Sequence, residues 1–177
     1  MTMAPSFPIF SRLLHWLMAV LIVAMLFVGA AMVTSLNDYH RLVAIHRPLG
    51  ILILALAAIR LIHRLFRPAP PLPAAMPALL KFAAQGSHVL LYVLMFALPL
   101  VGWGMLSAAG YPIVLAGSWH LPAILPHSDG LYALLRPAHT VLAYLLFATF
   151  LAHMGAALTH ALIFRDGVFQ SMASWRR

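Results

Sequence analysis

Sorted into apolar and polar positions, the chain alternates long unbroken apolar runs with short polar breaks. Four runs stand out, at about 14–36, 43–66, 84–108 and 137–163. Each meets the ~20 residues that a helix needs to cross the hydrocarbon layer of a bilayer. No water is present there to serve the backbone, so each run must satisfy its own N–H and C=O groups, which a helix does. The first run has Arg12 before it and the small residues Gly29, Ala30 and Ala31 within it, as a secretory signal would. A signal's apolar region is only ~7–15 residues long, so the run is read as a retained span.

The breaks are informative too. The segment "RPAPPLPAAMPAL", 67–79, is too rich in proline to be helical throughout and is expected to be a stiff surface connector. The segment 109–135 is expected to be a longer loop, with Gly110, Pro112, Gly117, Pro122, Pro126 and Gly130, and a short interfacial helix around "SDGLYALL". Trp16, Trp103, Trp119 and Trp175 fall near the expected interfaces. No soluble domain and no long internal repeat is visible. The expectation is one all-α membrane domain over 1–177, an integral four-helix bundle.

Composition supports this. Of 177 residues, 64% are hydrophobic and 8% charged, against roughly 25% charged in soluble domains. The net charge of +8 lies beside the apolar runs, where anionic lipid and not nucleic acid is the natural partner. One set of run ends collects Arg12, Arg60, Arg64, Arg67, Lys81, Arg165, Arg176 and Arg177; the other has Arg41, Arg47 and Arg136. The positive-inside bias therefore puts both termini in the cytoplasm. Cysteine is absent, which removes disulfides, iron–sulfur clusters and covalent haem attachment.

Ten histidines against three acidic residues direct attention to imidazole chemistry. "HTVLAYLLFATFLAH", 139–153, carries a histidine at each end. Fourteen positions correspond to ~21 Å along a helix and to a rotation ~40° short of four turns, so both rings lie on nearly one face. A lone membrane histidine is ordinarily a structural residue bonded to a carbonyl or hydroxyl across a helix interface. Here other histidines match in depth. His15 starts the first helix on the cytoplasmic side and pairs with His153; His46 starts the second on the outer side and pairs with His139. Two imidazole pairs stacked ~20 Å apart suit two six-coordinate haem irons in a bundle core. Zinc would call for a third histidine or a carboxylate, which is not evident.

"LLHW" (His15), "IHRPLGILILALAAIRLIHRL" (His46), "GSHVLLYVLMFALPLVGW" (His88) and "AHTVLAYLLFATFLAHMGAALTHALIFRDGVFQSM" (His139, His153, His160, Asp166, Met172) resemble the bacterial di-haem cytochrome b561 family over nearly the whole chain. The resemblance implies two haem b groups with His15, His46, His139 and His153 as axial ligands. It implies a superoxide oxidase of the bacterial inner membrane, passing electrons from superoxide at the outer face to ubiquinone. Arg47 and Pro48 after His46, and Thr140 after His139, depart from the family's usual residues. Pro48 is expected to kink the start of the second helix.

His88 and His160, with Ser87 and Arg12, are expected to form a quinone pocket at the cytoplasmic end. Arg41, Arg47 and Arg136 are expected to form a positive rim that draws the superoxide anion to the outer pair. A redox partner protein is not required by this reading. Two other readings stay open on the sequence: an electron-transfer subunit linking a dehydrogenase or soluble cytochrome to the quinone pool, and a non-redox membrane protein with structural histidines, which would purify colourless.

Overall fold

Helix α1 (Ile9–Thr34) starts directly after Pro8 and runs for 26 residues. It is the first element of a computed structural model that describes residues 6–116 and 119–174. α2 (Tyr39–Phe66) follows a tight turn in which the Ser35 hydroxyl donates to Asp38 Oδ2 at 2.9 Å. It ends at Arg67, where the coming Pro68 disfavours helical backbone. α3 (Ala78–Ala108) starts directly after Pro77. α4 (Asp129–Thr159) is capped by Ser128, whose hydroxyl accepts from the Leu131 amide at 3.3 Å, and carries Asp129 in its first turn, where a negative charge suits the helix dipole. It continues into one π-helical turn, His160–Phe164, and the short α5 (Val168–Ala173) closes the chain. All four long helices have the length and apolar character to cross a membrane.

Each helix begins four to eight residues before the apolar run that predicted it: 9 against 14, 39 against 43, 78 against 84, and 129 against 137. An apolar run marks the hydrocarbon thickness, whereas the helix carries on through the headgroup layer, where hydrogen bonding still favours it. Pro48 lies inside α2, in its first three turns, as Pro99 lies inside α3 and Pro137 inside α4. One expectation is corrected here. "SDGLYALL" is no separate interfacial helix but the first two turns of α4.

The loop between α3 and α4, 109–128, also holds an antiparallel hairpin, β1 (Ile113–Ala116) and β2 (Trp119–Leu121), paired Ile113 to Leu121 and Val114 to His120 with a bulge after Val114. β1 packs against α2. The loop is tied back to α3 by Trp103 Nε1 donating to the Pro122 carbonyl at 2.9 Å and by Ser107 Oγ accepting from the Ile124 amide at 3.1 Å.

Backbones approach most closely within two hairpins, α1 with α2 and α3 with α4; α2 and α3 also touch, while α1 and α4 approach each other only sparsely. Lipid is as apolar as leucine, so the helices are held by close packing more than by escape from water. Leu14, Met18, Ala57 and Met95 form one buried cluster; Leu94, Leu98 and Leu146 form a second, with Ile22 of α1 packed against both. Leu94 is the largest fully buried side chain among the described residues. Leu94→Ala should open a cavity and cost about 2–4 kcal/mol, read as a lower midpoint in reversible unfolding in mixed micelles, whereas Val33→Ala, at an exposed position, should leave the midpoint nearly unchanged.

Candidate functional site

α4 presents His139 and His153 at two depths, and the fold brings an imidazole from another helix to each. His153 faces His15 of α1, with ring centroids 6.4 Å apart and ring planes at 76°. His139 faces His46 of α2, at 6.2 Å and 69°. These are the two pairs expected from depth. They bridge α4 to the opposite helix hairpin, where the backbones stand apart. Between the two levels the apolar side chains of Leu94, Leu98 and Leu146 fill the bundle.

The separations can be tested against a ligand. A metal held between two imidazole nitrogens at ~2.0–2.1 Å sets the ring centroids about 6.4–6.6 Å apart, because the centroid lies ~1.2 Å behind the nitrogen. The His15–His153 pair, at 6.4 Å, falls in this range and the His46–His139 pair, at 6.2 Å, just below it. Among the described residues no group of three or more His, Asp or Glu side chains can hold a metal ion. Two opposed imidazoles leave the positions around the metal to another donor, which is what a macrocycle supplies. The Nδ1 atoms of His46 and His139 are buried without a hydrogen-bond partner among the described residues; the Leu98 backbone lies near the His139 ring but outside good geometry. Polar ring atoms in such surroundings are costly unless a bound group serves the ring. The donor set therefore fits haem.

Gly102 of α3 lies against the outer pair. A Cβ built there would sit 3.2 Å from His139 Cε1 and 3.5 Å from its Nδ1. Glycine is thus the residue that leaves the His139 ring its place.

The remaining sites are arranged less simply than expected. His88 comes to the inner pair, its ring centroid 5.3 Å from that of His153. His160 is bound to Asp166, Nδ1 to Oδ2 at 2.7 Å. The other oxygen of Asp166 accepts from the Val168 amide at 3.1 Å, and Arg165 and Gly167 on either side take left-handed backbone, with φ 49° and 83°. Ser87 donates to the Ala84 carbonyl of its own helix at 2.9 Å. Arg12 is buried and donates to the Ser174 carbonyl, while Trp16 Nε1 donates to the Met172 carbonyl at 3.3 Å, so the two ends of the described chain meet at one end of the bundle. At the end of the bundle near His46 and His139, Arg136 Nη1 donates to the Tyr132 hydroxyl at 2.7 Å and Arg47 Nη1 to the Pro112 carbonyl at 3.4 Å; Arg41 is exposed.

Arg60 and Tyr92 are the residues that sequence reading passed over. Arg60 counted there only as one of the inner charges, yet its Nε donates to the Tyr92 hydroxyl at 3.1 Å within the bundle. The available signal was its spacing, fourteen positions after His46, which repeats that of the α4 histidines.

A membrane bundle with opposed imidazoles at two depths belongs to the class of membrane electron-transfer cytochromes. The family model described as prokaryotic cytochrome b561 matches residues 6–175. The chain is 32% identical to cytochrome b561 homolog 2 of Escherichia coli over 168 residues, covering 93% of this chain and 89% of the relative. It is 30% identical to a protein of Yersinia pestis named probable superoxide oxidase CybB over 138 residues, 75% of each chain. The chain belongs to the prokaryotic cytochrome b561 family, membership that implies haem b and membrane electron transfer.

Gly102→Val should push the His139 ring aside and lower the haem bound per chain, measured as the pyridine haemochrome. Gly155→Val, where an added Cβ meets nothing within 4 Å, should leave the haem content as it is.

Proposed function

We propose that the chain is a di-haem b cytochrome of the bacterial inner membrane that oxidises superoxide at the periplasmic face and reduces ubiquinone. The observation that carries the reading is the pair of imidazole separations, 6.4 and 6.2 Å at two depths. His46 and His139 hold the outer haem and His15 and His153 the inner one, with both termini in the cytoplasm as the Lys and Arg distribution indicates. Bound haem supplies reversible one-electron exchange at each level.

Everything else is done by the chain. Arg41, Arg47 and Arg136 place positive charge around the outer pair, and a charged rim raises the arrival rate of a small anion. Tyr132 and the Pro112 carbonyl fix the directions of two of these side chains. Leu94, Leu98 and Leu146 keep water out of the span between the levels. At the inner end His160, oriented by Asp166, and His88, beside His153, bind the quinone oxygens and deliver the protons that its reduction consumes. Arg12 and Ser87 support this end through their bonds to Ser174 and Ala84. Two superoxide anions yield two molecules of oxygen and two electrons, and one ubiquinone takes these with two protons. The name of the Yersinia pestis relative supports the choice of superoxide.

The purified protein should show a reduced-minus-oxidised spectrum of b-type haem with two haems per chain. Superoxide should reduce them and ubiquinone reoxidise them. His139→Ala and His153→Ala should each lose about one haem. A colourless protein would return the histidines to structural roles; haems indifferent to superoxide would leave an electron-transfer subunit with a protein donor. Neutralising Arg41, Arg47 and Arg136 together should slow superoxide oxidation at low salt and flatten its salt dependence. Unchanged kinetics would remove the rim from the mechanism.

A further inference from the structure

Arg60 lies fourteen positions after His46 on α2, the same spacing that separates His139 from His153 on α4. Such a spacing keeps two residues on nearly one helix face, ~21 Å apart in depth. α4 uses it to present one imidazole at each level. α2 presents an imidazole at the outer level and a guanidinium at the inner one.

The guanidinium is held. Its Nε donates to the Tyr92 hydroxyl at 3.1 Å. Its Nη1 is buried and has no hydrogen-bond partner among the described residues. The charge lies within electrostatic reach of His15, His88 and His153. Arginine stays charged under all ordinary conditions, and an uncompensated charge inside a bilayer costs several kcal/mol.

The chain cannot supply the counter-charge. It has three acidic residues. Asp38 is bonded to Ser35 in the α1–α2 turn, Asp129 sits at the start of α4, and Asp166 is bonded to His160 and the Val168 amide. A half-buried guanidinium whose buried Nη1 has no partner among the described residues, beside a paired-imidazole site, calls for an anion carried by the bound group. Haem bears propionate carboxylates, and the arginine fork suits a carboxylate in two-point contact.

We propose that Arg60, positioned by Tyr92, binds a propionate carboxylate of the group held between His15 and His153. This rests on the reading of that pair as a haem site. A phospholipid headgroup offers the same anionic oxygens from a second source, since Arg64, Arg67 and His63 line a small pocket with Arg60 at this end of the bundle.

The test is a spectroscopic redox titration of the haem-loaded protein in nanodiscs of zwitterionic lipid alone and of zwitterionic lipid mixed with anionic lipid. Removing a cation beside a haem favours its oxidised form. Arg60→Gln should therefore lower one midpoint potential, that of the haem lost in His15→Ala, and leave the other in place. Arg60→Lys should recover most of the shift. Tyr92→Phe should give a smaller shift of the same sign. All three effects should be the same in both lipids. Should Arg60→Gln lose haem, selective loss of that same haem supports the proposal, and Arg60→Lys and Tyr92→Phe then decide it on potentials. Two unmoved potentials, equal shifts of both, or a shift seen only with anionic lipid would each overturn it, the last assigning Arg60 to headgroup phosphate. A wild-type protein without haem would be a distinct failure, removing the haem reading beneath the proposal.

Discussion

Polar groups in hydrocarbon must find partners inside the protein or on something it holds. In this chain the constraint bears on a few imidazoles and on the guanidinium groups of Arg12 and Arg60, and the arrangement of the bundle follows from it. The two helix hairpins pack closely within themselves but stand apart where α4 faces α1, and opposed rings bridge α4 to the other hairpin at two depths. Between those depths the bundle is closed by leucines.

Charge is the second constraint. With three carboxylates in 177 residues, the chain cannot neutralise its own arginines. Most lie at helix ends, where water and headgroups solvate them. Arg60 is set deeper and leans on Tyr92. The 2.7 Å contact of His160 with Asp166 sits where α4 loosens into a π-helical turn and the backbone reverses through left-handed residues. That reversal turns α5 back so that Met172 and Ser174 meet Trp16 and Arg12. One end of the bundle is thus closed by the two ends of the described chain, while the other is covered by a short hairpin whose loop is anchored on α3.

Much of this was legible beforehand. The four spans follow from apolar length, because lipid permits few other ways for such runs to satisfy their backbones. The pairing of His15 with His153 and of His46 with His139 follows from depth alone. The hairpin was missed. Its strands have four and three residues, and the surrounding glycines and prolines signalled loop. The alternation in "IVLAGSWHL", broken by Gly117 and Ser118, was the available sign.

The sequence by itself determined how many helices form, how deep each histidine lies and that few carboxylates exist to meet the arginines, since these depend on distance along one chain and on composition. Only the tertiary structure decided that the rings of each pair come within 6.2–6.4 Å, that His88 joins the His15–His153 pair, that Gly102 makes room for His139 and that Arg60 buries its Nη1 beside Tyr92. These depend on how each helix is rotated about its own axis relative to its neighbours. Local periodicity leaves that rotation open, and side-chain packing across the bundle sets it.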